Sequence, residues 1–442
     1  MKKLLSLVAF CLPFTLIAQN DESTGIRFEN FPNWTAVKEK AKQENKYIFV
    51  DCYATWCGPC KKMDKEVYTI DSIGKLFDGN FISIKIQSDT SRNDNDDVKR
   101  WYADAKYFQS EYKIASLPTF LFFSPDGKLV HEGVGYMSPT RFYALGKDAQ
   151  NPQTQYYSMV RRYKQGGMSY PEIFILGCMA SANGDQGMGD TLLRQYTNEY
   201  LLKLDDSALF SNKSLSIIGG TILSSKDKGF KLFYDNVARI DAIMKDSNFT
   251  SSILDRIIEY EEIFNRLYTP VPPYTPLTDN PDWDGIFRKI KHKYNATYAD
   301  RVTLWAKIKW FAYKKDWPAY SKCVIRRVET YGPYVNLFPY TYSHGNMYVN
   351  SSAWEVFTYS MDTNDLKKAL EWSRRTLIDT ASSEVHLQAA CFDTYANLLY
   401  KLGRKEEALG YEQKALTLSP KKTTYQETLD KIKKGEPTWP KL

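Results

Sequence analysis

Two cysteines, Cys57 and Cys60, are the residues of this 442-residue chain whose type and spacing most directly permit chemistry. They stand in YIFVDCYATWCGPCKKM, residues 47 to 63. That stretch opens as an apolar strand, turns over Ala54 to Trp56, and runs into helix-forming residues from Lys61 to Glu66. The thiolate is the nucleophile of thiol–disulfide exchange, and a free thiol is mostly protonated at neutral pH. Cys57 at a helix start would face unpaired backbone N–H groups and the positive end of the helix dipole, both of which favour the anion. Settings of this kind lower a cysteine pKa to roughly 3.5–7.5. Cys60 follows one helical turn later, within reach of a mixed disulfide formed on Cys57. Pro59 fits the first turn, where a missing N–H costs nothing.

These elements resemble the thioredoxin superfamily. WCGPC is similar to its active-site motif, and three further features agree with it in order along the chain. Asp51, in the apolar strand before Cys57, resembles the family's buried aspartate. Lys85, in FISIKIQ, resembles the strand lysine that pairs with it. Leu117-Pro118-Thr119 resembles the cis-proline loop that faces the cysteines. The resemblance implies an α/β thioredoxin-like domain and exchange with protein thiols or disulfides, with no cofactor beyond the Cys57–Cys60 pair. It further implies that Asp51 and Lys85 handle protons, and that Trp56, Gly58, Pro59, Leu117 and Pro118 form the surface where substrate docks. The KKMDKEV continuation and the later insertion resemble the branch that includes the C-terminal domain of the periplasmic transmembrane disulfide reductase. That implies a membrane disulfide reductase as an upstream partner.

The rest of the chain must position and deliver this dithiol. Residues 1–18 read as an export signal: Lys2 and Lys3, an apolar core interrupted by Pro13, and Ala18 before Gln19 as the cleavage point. Export implies a periplasmic location in a Gram-negative source and secretion otherwise. There a dithiol must be kept reduced or act as an oxidant. Of the other cysteines, Cys52, Cys178, Cys323 and Cys391 are isolated and read as small buried hydrophobes. Lys and Arg number 59 against 52 Asp and Glu, an excess too diffuse for a nucleic-acid footprint. SDTSRNDNDD has the composition of a calcium loop, but it lacks the turn glycine and places Arg100 where the last carboxylate belongs; it reads as a solvated helix cap. His131, His292, His344 and His386 are scattered and offer no zinc site with the cysteines.

From 19 to 153 the pattern alternates helix and strand, ending in a hairpin through Pro125-Asp126-Gly127 and a helix from Ser138. One helix is expected over DDVKRWYADAKYFQSEY. Residues 154–268 read as helices, with SANGDQGMGD as a turn between two of them. Residues 269–285 are a Pro-rich linker, and 286–442 a series of helical hairpins. ACFDTYANLLYKLGRKEEALGYEQKALTLSP resembles a tetratricopeptide repeat, with Phe392, Ala396, Leu399, Ala408, Ala415 and Pro420 at signature places and Glu412 where an aromatic is usual. Two fainter copies precede it. The fold expected is thus an α/β thioredoxin-like domain followed by an all-α region of tetratricopeptide-like hairpins. Two functions follow. One is a thiol–disulfide oxidoreductase whose helices bind the partner. The other is a helical-repeat scaffold in which the thioredoxin-like domain only binds. Cys-x-x-Cys serves reductases, oxidases and isomerases alike, so the motif sets the reaction and not its direction.

Overall fold

The computed structural model describes residues 25–332, 345–377, 385–419 and 423–441. The export signal, Pro420 and His344 lie outside the described residues. Two compact units divide the chain between Tyr200 and Leu201.

In the first unit, α1 (Trp34–Glu44) is capped by the Asn33 side chain and buries Trp34, Val37 and Ala41, the face its spacing marks. Then follow β1 (Tyr47–Tyr53), α2 (Gly58–Glu66), α3 (Asp71–Asn80), β2 (Phe81–Gln87), α4 (Asp96–Arg100), α5 (Tyr102–Glu111), β3 (Thr119–Phe123), β4 (Leu129–Val134) and α6 (Pro139–Asp148). The sheet runs β2-β1-β3-β4, with β1 and β2 parallel and the other pairs antiparallel. Alternation along the strands makes two cores. Phe49, Phe120 and Phe122 pack with Met63, Phe77 and Phe142 on one face. Ile48, Val50 and Phe123 pack with Val37, Ala41 and Phe108 on the other. Asp51 shares the Phe49 face, so β1 delivers its carboxyl beneath α2.

Two local expectations change. The single helix expected over residues 96–112 breaks at Trp101, because its indole Nε1 donates to the Phe31 carbonyl at 2.8 Å and turns the residue inward between α4 and α5. SANGDQGMGD is mostly helix. The turn shrinks to Asn183–Asp185, and α9 (Gln186–Glu199) packs on α8 (Tyr170–Ala182). Gly189 is the reason, since a Cβ there would lie 2.1 Å from Ser181 Oγ. Cys178 is exposed rather than buried: α8 turns Ile173, Leu176, Gly177 and Ala180 inward, which leaves Cys178 outside.

Helix α7 (Tyr156–Gln165) lies along β4, the edge of the sheet, and covers a strand edge that would otherwise be open. His131 Nδ1 accepts from the Tyr156 N–H at 2.9 Å, and the Tyr157 hydroxyl donates to Glu132 at 2.8 Å. His131 Nε2 has no hydrogen-bond partner, and burial pushes the imidazole pKa down to about 4. The unfolded chain therefore takes up the proton first, so His131 stabilises this unit above pH 6.5 and loses that effect as pH falls toward 4. Acid should cost up to about 3 kcal/mol through this residue. Urea unfolding of wild type and His131→Gln at pH 7 and pH 4.5 checks it: the variant should show a smaller drop.

The second unit is helical among its described residues. The Pro-rich stretch falls inside it: Thr269 N–H donates to the Thr275 carbonyl at 2.9 Å, and Asp282 caps the helix Trp283–Lys293. Successive hairpins follow, Ala296–Lys314 with Trp317–Tyr331, Gly345–Tyr359 with Thr363–Thr376, and Val385–Lys401 with Lys405–Leu418. In the last, Ala396, Ala408 and Ala415 are fully buried where small residues let helices approach, and Leu399 is fully buried beside them. Glu412 is fully buried too. Burial, reinforced by the charge of Asp393, pushes its carboxyl well above the usual range, so an acid that resists ionisation fills the aromatic's place. No helix among the described residues is long and apolar enough to cross a membrane.

Candidate active site

The site begins where β1 ends. Tyr53 leads into the Ala54–Trp56 turn, and Cys57 is the N-cap of α2, its Sγ accepting from the Cys60 N–H at 3.1 Å. Cys57 and Cys60 are joined as a disulfide, with Cα atoms 5.3 Å apart. Both are almost wholly buried, while Trp56 is 72% exposed and Gly58 and Pro59 are also exposed. An apolar rim thus surrounds shielded sulfurs. Leu117 packs against Ala54, Cys57 and Cys60, and the Leu117–Pro118 peptide is cis. The Pro118 carbonyl accepts from the Gly135 N–H at 2.8 Å, which ties this loop to the end of β4.

Beneath α2, the parallel register sets Asp51 beside Lys85. Lys85 Nζ lies 3.5 Å from Asp51 Oδ2, and Asp51 Oδ1 has no hydrogen-bond partner. Burial pushes the Asp51 carboxyl up to about 6 even though Lys85 opposes the shift. A carboxyl of that acidity can both accept and release a proton near neutrality. Because its folded pKa lies above its ordinary value, Asp51 favours the fold at low pH and disfavours it as pH climbs from about 4 through about 6. Asp51→Asn should therefore raise stability at pH 7 by about 2 kcal/mol while slowing turnover several-fold. Chemical denaturation and steady-state disulfide reduction on the same preparations check both parts.

Two contributors escaped the sequence reading. Asp89 accepts from both the N–H and the hydroxyl of Thr55 and so braces the turn ahead of Trp56. It belongs to SDTSRNDNDD, whose remaining side chains hold a folded loop. Asn95 caps α4, and Asp94 accepts from Gln87, Ser91 and Tyr102. The second is Asp64, which bonds the Lys85 ammonium. Its signal was present: Asp64 follows Cys60 by one helical turn and so shares the face that looks down on the sheet. Among the described residues, no group of three His, Cys, Asp or Glu side chains is placed to hold a metal ion.

A shielded dithiol at a helix start, beside a buried acid, is the apparatus of disulfide exchange. Residues 35–150 match the Thioredoxin-like domain family. Thioredoxin of Mycoplasmoides gallisepticum is 34% identical over 103 residues, which are 23% of this chain and 84% of that protein. The thiol:disulfide interchange protein DsbD of Pseudoalteromonas atlantica is 29% identical over 137 residues, 30% of this chain and 21% of that protein. Among solved structures, a Bacteroides thetaiotaomicron protein described as a disulphide-isomerase is 25% identical, with a TM-score of 0.25, and covers 29% of this chain and 97% of its own. The chain belongs to the thioredoxin-like family of thiol–disulfide oxidoreductases through this first domain. It spans only about a fifth of the DsbD relative's length.

Proposed function

We propose that this protein is an exported thiol–disulfide oxidoreductase that exchanges disulfides with protein substrates through Cys57-Gly58-Pro59-Cys60, and that its helical region binds the partner. The observation that carries the reading is Cys57 at the N-cap of α2, with its sulfur receiving a backbone N–H. In the reducing direction, the Cys57 thiolate attacks a substrate disulfide, forming a mixed disulfide and releasing one substrate thiolate. Cys60 then loses its proton to Asp51 and attacks Cys57 Sγ. The mixed disulfide breaks, the second substrate thiolate leaves, and two electrons have passed from dithiol to substrate. Lys85 steadies the Asp51 carboxylate. Trp56, Gly58, Pro59, Leu117 and Pro118 form the docking rim.

Export rests on the Lys2–Ala18 pattern, and an exported dithiol needs electrons from elsewhere. The similarity to a thiol:disulfide interchange protein makes a membrane disulfide reductase a fitting donor. The tetratricopeptide-like hairpins supply a surface separate from the dithiol for choosing substrates. The full chain should accelerate dithiothreitol-driven reduction of insulin well above dithiothreitol alone. A rate equal to the uncatalysed one would remove the oxidoreductase reading.

A further inference from the structure

The Lys85 ammonium serves two carboxylates of opposite character. Asp51, from β1, is 2% exposed in its side chain and stands 3.5 Å away; Asp64, from α2, is 47% exposed and makes the shorter contact. The rings of Phe28, Tyr53 and Tyr68 surround the same ammonium, with centroids at 5.0, 5.1 and 5.4 Å. The lysine is thus held at one place by an aromatic cage and by its solvated partner. An ammonium in direct contact with a buried carboxyl holds it ionised, and a locked ion pair is a poor proton carrier.

We propose that Asp64 is a positioning residue that draws the Lys85 ammonium toward itself and so weakens its pairing with Asp51, leaving Asp51 able to take and return the proton of Cys60. This rests on the exchange reaction proposed above. The other groups facing Asp51 do not replace Asp64. Tyr68 presents a neutral hydroxyl from the turn after α2, Cys52 and Tyr53 flank Asp51 on its own strand, Phe120 opposes it on β3, and the cysteine pair stands at the head of α2. Asp64 also acts through its own negative charge, which pushes the Asp51 carboxyl in the same upward direction as burial does.

Removing the Asp64 charge should let Lys85 settle on Asp51, and both changes lower the Asp51 midpoint. Carboxyl infrared titration of the full oxidised chain reads this directly, with the Asp51 band identified by its loss in Asp51→Asn. Asp64→Asn should lower the midpoint by about one pH unit or more, and Asp64→Glu should restore it. Asp64→Ser runs alongside, so that a folding defect peculiar to one side chain does not decide the result. The acid limb of mixed-disulfide resolution should move by the same amount, and Asp64→Asn should shift nothing in an Asp51→Asn background. An unmoved Asp51 midpoint in both Asp64→Asn and Asp64→Ser overturns the proposal, as does an equal fall in Asp64→Glu. A shifted band in a chain whose wild type reduces no disulfide would instead overturn the exchange reaction and leave the positioning role standing.

Discussion

Cys57→Ser is expected to abolish disulfide reduction, a loss of at least about a thousandfold, because among the described residues no other thiol occupies a helix start with a donated backbone N–H. Cys60→Ser should behave differently. Attack by Cys57 still proceeds, but resolution fails, so the protein should accumulate covalent adducts with its substrates. Non-reducing electrophoresis and mass spectrometry of both variants separate the roles. Adducts on Cys57→Ser and none on Cys60→Ser would reverse the assignment. Cys52 cannot substitute for either, since burial holds its thiol well above the ordinary value. Cys178 lies on the outer side of α8, and partial desolvation by its neighbours still raises its thiol.

A chain ending at Tyr200 should fold and keep the dithiol chemistry, whereas one ending at residue 153 should lose about 3 kcal/mol of stability or more. The shorter chain loses the buried Tyr156 and Met159, each contributing roughly 1.5–3 kcal/mol by burial. It also strips the Tyr156 N–H from His131 and the Tyr157 hydroxyl from Glu132, and opens the β4 edge. Thermal unfolding of both fragments, made from Gln19 onward, decides it. Equal midpoints would mean that α7 merely rests on β4.

The contrast between those fragments shows what the sequence could convey. Cys57 and Cys60 stood out by local pattern, an apolar strand, a turn and a helix start, whereas Asp51, Lys85 and Pro118 were picked out only by the resemblance to thioredoxins. The α/β order followed from the same periodicity. The clasp of His131 on Tyr156 was not legible, since a lone histidine in a strand says nothing about a backbone N–H twenty-five residues later. Nor was the Trp101 break, which depends on a carbonyl seventy residues earlier in the chain. Glu412 stood out as a departure in sequence, yet only the packing shows the acid fully buried, with its ionisation opposed by burial and by Asp393. Asp64 lies between these cases. Helical spacing puts it one turn beyond Cys60, a signal the sequence reading did not use, and its consequence depends on Lys85 reaching up from β2.

Redox titration of the full-length chain against defined thiol–disulfide buffers, read by alkylation and peptide mass, tests the central claim most directly. The account predicts one two-electron transition confined to the peptide bearing Cys57 and Cys60, with a potential between about −270 and −120 mV, the span of working exchange dithiols. A Cys57–Cys60 bond that stays closed below about −300 mV would mark a structural disulfide and contradict the account.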